Sequence, residues 1–338
     1  MAGLFNALQL GDYELANRVV MAPLTRARAG SEGIANELMA EYYAQRASAG
    51  LLIAEATAVS KQGLGWLNAP GIYTDEQQAG WKLVADAVHR KNGRIFLQIW
   101  HMGGIVHPDF LDGEAPVSSS AVKLSGALTT PQGRDREFVV PRALSKDEIK
   151  AIVQDFVAAA KRAVAAGIDG VEIHAANGFL IDQFIRDGVN QRTDEYGGSV
   201  DNRLRFLVEV VEAVTAAIGA GKVGVRLSPT NKVWGIADSD PLETFGRAVE
   251  LLNNYDLAYL HILEPKLDSG HPMETVDYLT PVLREKYEGT LIINGGLTRE
   301  SGQAAIEAGE TEAVAYGSPF ISNPDLVERF RENGELTP

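Results

Sequence analysis

His174 ends the short apolar run GVEIH, and Asn177 follows three residues later. Such a run predicts a β-strand, which places both polar residues at its carboxyl end. Two neutral hydrogen-bond donors that converge on one point can stabilise the negative charge that develops on a carbonyl oxygen when a hydride or nucleophile adds nearby. The alternative interpretation is that His174 is a hydrogen-bonded strand-end histidine and that Asn177 forms a turn. This segment alone leaves both interpretations open.

Further polar side chains and glycines occur at the ends of similar apolar runs. Arg226 lies inside the run VGVRL, where a permanent charge indicates an anionic partner nearby. Gln98 lies inside the run IFLQIW, two residues before Trp100. The other candidates are Pro23, Leu24 and Thr25 after the first run, Ala56 at the end of the second, and the pairs Gly295-Gly296 and Gly317-Ser318 after the last two.

Eight such runs divide the chain, and segments with helical periodicity separate them. Near-continuous apolarity is typical of strands that are buried on both faces of a parallel sheet. The alternation predicts an α/β fold, a (β/α)8 TIM barrel, whose catalytic residues lie at the carboxyl ends of the strands. A doubly wound sheet is the alternative, but the first run continues as MAPLTRARAG, which lacks the expected glycine fingerprint. The predicted strands are residues 18–23, 51–56, 95–100, 170–174, 223–227, 258–263, 291–294 and 313–316.

Helix boundaries and two additional segments complete the predicted fold. Ser145 and Glu148 form a capping-box pattern, and Asp75 and Asp201 each precede a helical pattern. An N-terminal hairpin at 8–15 is expected to cap the bottom of the barrel. Residues 101–145, rich in Gly, Pro, Ser and Thr, are a long insertion after strand three that we expect to cover the active face. Because no linker interrupts the pattern, we expect one domain over residues 1–338.

Composition excludes several classes of function. The 338 residues carry a net charge of −14, which gives no electrostatic basis for binding nucleic acid or an anionic membrane. The chain has no cysteine, which removes disulfides, thiolate nucleophiles and iron–sulfur clusters. Its six histidines show no spacing such as H-x-x-x-H, so we expect no metal site. The first residues lack a secretion-signal pattern, and we expect a cytoplasmic protein.

The glycine pairs late in the chain point to a phosphate. In TIM barrels the loops after strands seven and eight commonly bind phosphate, and Gly295-Gly296 and Gly317-Ser318 follow those strands. One such pair is more often a turn, but two in register favour a phosphate site. The pattern fits non-covalently bound FMN with its ring across the barrel mouth. Gln98 and Arg226 would then face the N1/O2 edge, where a cation stabilises the negative charge of the reduced ring.

Several ordered segments carry a family resemblance. They are NRVVMAPLTR, EYYAQRASAGLLIAEAT, APGIYTDEQ, QIWHMG, PVSSSA, the block from HAANG to QRTDEYGGSVDNR, VGVRLSP, YLHILEP and GSPFISNPDL. On these segments the chain resembles the old yellow enzymes, the flavin-dependent alkene reductases, over residues 4–330. So many matches in one order make a chance likeness negligible.

The resemblance implies two half-reactions at one site. NADH or NADPH reduces the bound FMN and leaves, and an α,β-unsaturated carbonyl or nitro compound then accepts hydride at its β-carbon. His174 and Asn177 would hold the substrate oxygen, and Thr25 would hydrogen-bond the N5/O4 edge of the flavin. Trp66 and Trp100 would line the substrate cavity, although core packing is an equally good interpretation of Trp66. The other implied FMN contacts are Pro23, Leu24, Ala56, Gln98 and Arg226 at the ring and Gly295, Gly296, Gly317 and Ser318 at the phosphate arm.

Two positions depart from the family pattern. The family typically has a tyrosine proton donor two residues after the asparagine, and Phe179 occupies that place. Phenylalanine has no exchangeable proton, so water or a loop tyrosine such as Tyr278 would have to supply it. Ser318 stands where the family usually has an arginine on the flavin phosphate, which removes a charge-assisted contact. The sequence also stops at Pro338, before the aromatic tail of many relatives, so we expect a more open pocket or a truncated chain.

Three functions remain in competition. The leading hypothesis is an ene-reductase that acts on small activated alkenes. An α-hydroxy-acid oxidase is the enzyme alternative, but it needs a base and arginines on the substrate carboxylate, which HAANG fits poorly. A flavin-binding barrel protein with low or altered turnover is the third, because Phe179 lacks the usual proton donor and Ser318 lacks the usual phosphate contact. We expect a monomer or a homodimer.

Overall fold

The computed structural model describes residues 3–264 and 278–338. Within these ranges the chain forms β-strands that are numbered here in chain order. They are β1 (Leu8–Leu10), β2 (Tyr13–Leu15), β3 (Val19–Met21), β4 (Leu51–Ala58), β5 (Ile95–Trp100), β6 (Val117–Ser118), β7 (Ala127–Thr130), β8 (Gly133–Glu137), β9 (Arg142–Ala143), β10 (Gly170–His174), β11 (Val223–Leu227), β12 (Tyr259–Leu263), β13 (Leu291–Asn294) and β14 (Ala313–Tyr316).

Eight of these strands close a parallel barrel in the order β3-β4-β5-β10-β11-β12-β13-β14. The prediction of a TIM barrel is therefore confirmed, and every predicted strand overlaps an observed one. The first strand is shorter than predicted. The second runs on to Ala58 because its pairing with β5 shifts register between Ala54 and Thr57, which lets the strand continue past the irregularity.

The helices follow the barrel strands along the chain, as the alternation predicts. They are α1 (Glu37–Ala44), α2 (Asp75–His89), α3 (Lys146–Ala165), α4 (Leu180–Ile185), α5 (Val200–Ile218), α6 (Pro241–Leu252), α7 (Thr280–Lys286), α8 (Arg299–Glu307), α9 (Ser318–Ser322) and α10 (Leu326–Glu332). Over the ranges that the structure describes, none of them combines the length and apolar character needed to cross a membrane.

The starts of two helices differ from the sequence prediction. Thr74, not Asp75, caps α2: its hydroxyl accepts from the backbone N–H of Gln77, and the side-chain oxygen of Gln77 accepts from the backbone N–H of Thr74. Ser199, not Asp201, caps α5. In both cases a hydroxyl just upstream reaches the third backbone N–H of the helix, which leaves the aspartate inside the first turn. The capping box at Ser145 is present as predicted.

The two additional segments lie at opposite ends of the barrel. The β1–β2 hairpin contacts the residues just before β10 and β11. The hydroxyl of Tyr13 donates to the carbonyl of Asp169, and the backbone N–H of Asp12 donates to the carbonyl of Gly221. The hairpin therefore caps the bottom, as predicted. In the insertion, β6 pairs with β9 and β7 with β8. Its apolar side chains join a hydrophobic cluster with residues of the barrel mouth, including Trp100 and Phe179. The insertion therefore packs against the barrel mouth, where it was expected.

Candidate active site

Strand register brings the predicted polar residues into neighbouring positions of the barrel. His174 on β10 pairs with Arg226 on β11, and Arg226 pairs with His261 on β12. One row lower, Gln98 on β5 pairs with Glu172 on β10. Because side chains alternate along a strand, Glu172 and His174 point to the same side of the sheet. Their burial and hydrogen bonds place that side inside the barrel.

A cavity of about 340 Å³ lies at this mouth, within the size range of small-molecule sites. Nine of the residues named at the ring or substrate positions line it, together with Phe179. A larger groove of about 920 Å³ lies outside the barrel near α5, α6 and α7, but none of the predicted site residues lines it. The described residues that line the mouth cavity are Pro23, Thr25, Ala56, Trp66, Gln98, Trp100, His174, Asn177, Phe179, Arg226, Asn231, Val233 and Trp234.

His174 packs against two aromatic rings as a neutral imidazole. Its ring is nearly parallel to that of Trp100 at 6.0 Å and meets that of Phe179 edge-on at 4.9 Å. Burial, followed by the charge of Arg226, lowers the pKa of His174 well below its usual value. The Nδ1 atom is buried and has no hydrogen-bond partner among the described residues. A neutral imidazole donates one hydrogen bond without carrying a charge into the cavity.

Asn177 adopts a left-handed backbone conformation, with φ of 56°, which asparagine tolerates better than most residues. Its backbone N–H donates to Oγ of Ser228 at 2.8 Å. Its side-chain oxygen accepts from Nδ2 of Asn231, also at 2.8 Å. Both contacts come from the loop after β11, so this loop fixes the backbone and the carboxamide of Asn177 together.

A buried charge pair lies beside the two donors. Glu172 accepts from Gln98 at 2.7 Å, and one of its oxygens lies 2.8 Å from Nδ1 of His261. Burial raises the pKa of Glu172, but His261, Arg226 and Gln98 outweigh it and leave the pKa below its usual value. Burial lowers the pKa of His261, so the imidazole is neutral beside the carboxylate. Arg226 donates to Oδ1 of Asn294. Among the described side chains of this group, Arg226 is thus the one cation and Glu172 the one anion.

The ring end of the cavity fits FMN. The Nε atom of Arg226 is buried and without a partner in the described part of the chain. A buried cation with an unused donor matches the electron-rich N1/O2 edge of a flavin. Gln98 uses its amide nitrogen on Glu172, which leaves its oxygen as an acceptor for a ring N–H. The residues that would hold the ring are therefore present.

The predicted phosphate residues lie at the ends of β13 and β14, outside the set that lines the cavity. Gly295 and Gly296 have φ of 153° and 77°, a region that glycine adopts readily. A Cβ atom on Gly317 would come no closer than 3.5 Å to another residue, that nearest atom being on Leu24. Ser318 is exposed at the first position of α9. This arrangement leaves open backbone for an anion.

The cavity offers no strong proton donor among its described residues. Its lining contains no tyrosine and no carboxylic acid, and Tyr278 does not belong to it. Phe179 is 6% exposed, and its ring meets that of Trp100 edge-on at 4.5 Å. The hydroxyl of Thr25 is the remaining O–H group on the described wall.

Three cavity residues were missed at the sequence level: Asn231, Val233 and Trp234. They lie on the irregular loop after β11, which has no periodicity to identify a cavity-facing side chain. Trp234 has a φ of 62°, which is unusual for a large residue, and packs edge-on against Phe138 of the insertion at 5.3 Å. One sequence feature could have indicated them: polar Asn231 and an aromatic residue before Gly235 follow shortly after the strand that carries Arg226.

Comparisons with known proteins agree with this geometry. The sequence model of the NADH:flavin oxidoreductase / NADH oxidase family matches residues 3–336. The 12-oxophytodienoate reductase 7 of Oryza sativa subsp. japonica is 46% identical, over 99% of this chain and 89% of that protein. The old yellow enzyme homologue from Zymomonas mobilis has a similar structure, with a TM-score of 0.96 and 45% identity over 99% of this chain and 94% of that one. Morphinone reductase in complex with tetrahydroNAD gives a TM-score of 0.93 and 45% identity, over 100% and 92% of the two chains.

Proposed function

Because the chain belongs to the NADH:flavin oxidoreductase / NADH oxidase family, and within it to the old yellow enzymes, we propose that its substrates are α,β-unsaturated carbonyl and nitro compounds. Membership makes the protein an FMN-dependent oxidoreductase that acts on C=C bonds with NAD(P)H as reductant. The whole chain, residues 1–338, acts as one flavin-binding domain.

The observation that carries this proposal is the convergence of His174 and Asn177 on one cavity with Arg226 and Gln98. The first two are neutral amide or imidazole groups that can donate to a substrate oxygen. The other two provide the charge and the amide that a flavin ring edge needs. An α-hydroxy-acid oxidase would need arginines at the substrate carboxylate, and Arg226 is the one arginine among the described lining residues.

FMN, when bound, supplies the hydride that adds to the β-carbon of the alkene. His174 and Asn177 bind the substrate oxygen and stabilise the negative charge that grows there, which strengthens their hydrogen bonds in the transition state. Trp66 and Trp100 hold the apolar part of the substrate. The proposed cofactor contacts are Pro23, Leu24, Thr25, Ala56, Gln98 and Arg226 at the ring and Gly295, Gly296, Gly317 and Ser318 at the phosphate.

Water protonates the α-carbon in this proposal. Phe179 stands on the cavity wall without an exchangeable proton, and the described lining provides no other strong acid. Turnover is therefore expected to depend on how readily solvent enters the cavity. Substrates whose anions are stable, such as nitroalkenes, suffer least from the missing donor.

A second candidate function is a flavin-binding barrel protein with low turnover, which the loss of a proton donor at Phe179 favours. Anaerobic spectrophotometry distinguishes the two. We expect the purified holoprotein to be yellow, to be bleached by NADH or NADPH, and to regain its colour on addition of 2-cyclohexen-1-one with formation of cyclohexanone. A yellow protein that the nicotinamides bleach but that neither this enone nor a nitroalkene re-oxidises would favour the binding protein.

A further inference from the structure

The orientation of the Asn177 carboxamide decides what this residue can do for a substrate oxygen. Its NH2 end donates to that oxygen, whereas its oxygen end would repel it. The two ends have almost the same shape, so the cavity itself does not select one. The selection has to come from the hydrogen bonds that the carboxamide makes on its other side.

The loop after β11 makes this selection through a short hydrogen-bond chain. The backbone N–H of Val233 donates to Oδ1 of Asn231 at 2.9 Å. A backbone N–H can act only as a donor, so the oxygen of Asn231 must lie on that side and its Nδ2 on the other. This Nδ2 donates to Oδ1 of Asn177 at 2.8 Å. The oxygen of Asn177 is thereby occupied, and its NH2 group is left to serve the cavity.

The same loop also fixes the backbone of Asn177. Ser228 accepts from the N–H of Asn177, and the carbonyl of Ser228 in turn accepts from Arg186 at 2.6 Å. Arg186 is buried and paired with Asp182 at 2.8 Å, and Asp182 accepts from the N–H of Gly178. The segment around Asn177 and the loop around Ser228 are thus joined from behind by a buried ion pair.

We infer that Asn231 is a positioning residue for the reaction, which acts by holding the carboxamide of Asn177 with its donor end toward the substrate oxygen. This inference rests on the proposed function, in which Asn177 binds that oxygen. Asn231 lines the same cavity on the irregular loop after β11. Its contribution depends on the direction of one hydrogen bond, and that direction can be reversed by substitution.

Two substitutions distinguish reversal of the Asn231–Asn177 hydrogen bond from its simple loss. Asn231→Ala removes the donor and leaves the Asn177 carboxamide free to adopt either orientation. Asn231→Asp places an acceptor opposite Asn177, so the carboxamide turns its NH2 group toward residue 231 and its oxygen toward the substrate. Because loss of one oxyanion donor costs about 10²–10³-fold in rate, we expect enone re-oxidation at pH 8 to be about tenfold slower in Asn231→Asp than in Asn231→Ala. A purely structural role predicts the opposite order, since aspartate is the closer match in shape.

The pH profile gives a second readout. The protonated carboxyl group of Asn231→Asp is a donor again, so its rate relative to Asn231→Ala should rise several-fold between pH 8 and about pH 4, near the usual pKa of an aspartate. The described titratable or charged groups nearby are His174 and Arg226 on the cavity wall, Lys232 next in sequence, and the Asp182–Arg186 pair behind Ser228. Both variants retain all of these groups, so the ratio of the two rates removes their titration.

A double-mutant cycle tests whether the effect passes through Asn177. In an Asn177→Ala background, Asn231→Asp and Asn231→Ala should give the same rate within twofold at pH 8. If aspartate remains tenfold slower there, its charge acts directly on the substrate and the inference is wrong. Equal rates for the two single variants at every pH would also overturn it. If neither 2-cyclohexen-1-one nor a nitroalkene re-oxidises wild-type enzyme, the proposed function fails before the variants are compared.

Discussion

Phe179→Tyr should restore a proton donor to the cavity. The ring of Phe179 is 6% exposed and lies 4.9 Å from that of His174, so a hydroxyl on it stays close to a substrate whose oxygen His174 binds. General acid catalysis contributes about 10²–10⁴-fold where proton transfer limits the rate. The described cavity wall offers no competing strong acid. We therefore expect product formation from 2-cyclohexen-1-one to accelerate by about 10²-fold when protonation is the slow step.

Phe179→Tyr should reduce the stability of the protein only modestly. A buried hydroxyl left without a partner destabilises a protein by about 1–3 kcal/mol, which lowers the melting temperature without preventing folding. The additional oxygen extends a side chain that already lines a cavity of about 340 Å³. Holoenzyme with full FMN content is therefore expected from Phe179→Tyr.

The assay is anaerobic stopped-flow mixing of reduced enzyme with the enone, followed by quantification of cyclohexanone, in H2O and in D2O. A solvent isotope effect on wild-type turnover identifies protonation as the slow step. Phe179→Leu, which removes the ring without adding an acid, is the matched control and should give no acceleration. The bleaching of the flavin by NADH or NADPH should change little in either variant. Unchanged enone turnover in Phe179→Tyr, despite a clear solvent isotope effect in wild type, would show that a tyrosine at this position does not protonate the substrate.

Two further predictions concern cofactor retention and acid stability. Ser318→Arg should bind FMN about 5- to 10-fold more tightly by adding a charge-assisted contact to the phosphate, while the affinity for riboflavin, which lacks that phosphate, stays unchanged; equal FMN dissociation constants would contradict this. Burial lowers the pKa of His101 to about 3 and that of His174 well below its usual value. Below about pH 6.5 the unfolded chain therefore binds protons that the folded chain does not. As the pH decreases, the free energy of unfolding should decrease by up to about 1.4 kcal/mol per pH unit for each histidine. Urea unfolding between pH 5 and 7 measures this, and His101→Asn, which keeps an acceptor for Gly103, should show a shallower slope.

The barrel was predictable because its strands are buried on both faces and therefore have distinctive apolar runs. All eight were located, with differences of one or two residues at their ends. The starts of α2 and α5 were less predictable because threonine or serine competes with a nearby aspartate for the cap. Thr74 and Ser199 prevailed since their hydroxyls reach the third backbone N–H of the helix. This competition is decided by backbone direction, which composition does not encode.

In the candidate site, too, residues on strands were predictable and residues on an irregular loop were not. His174, Gln98 and Arg226 were identifiable because polar residues inside apolar strands are conspicuous, and strand register then brings them together. Asn231 and Trp234 were missed because they lie on an irregular loop whose path depends on tertiary contacts with Asn177 and Phe138. The hydrogen bond that orients Asn177 joins residues 54 positions apart, so no local sequence pattern predicts it.

The role of His174 and Asn177 as oxyanion donors is measured by comparing wild type with the double variant His174→Ala/Asn177→Ala in the re-oxidation of reduced holoenzyme by 2-cyclohexen-1-one. Each donor to an oxyanion is worth about 10²–10³-fold. We expect the double variant to keep its flavin spectrum and to react at least about 10³-fold more slowly than wild type. Re-oxidation at a rate within a few-fold of wild type would contradict that role.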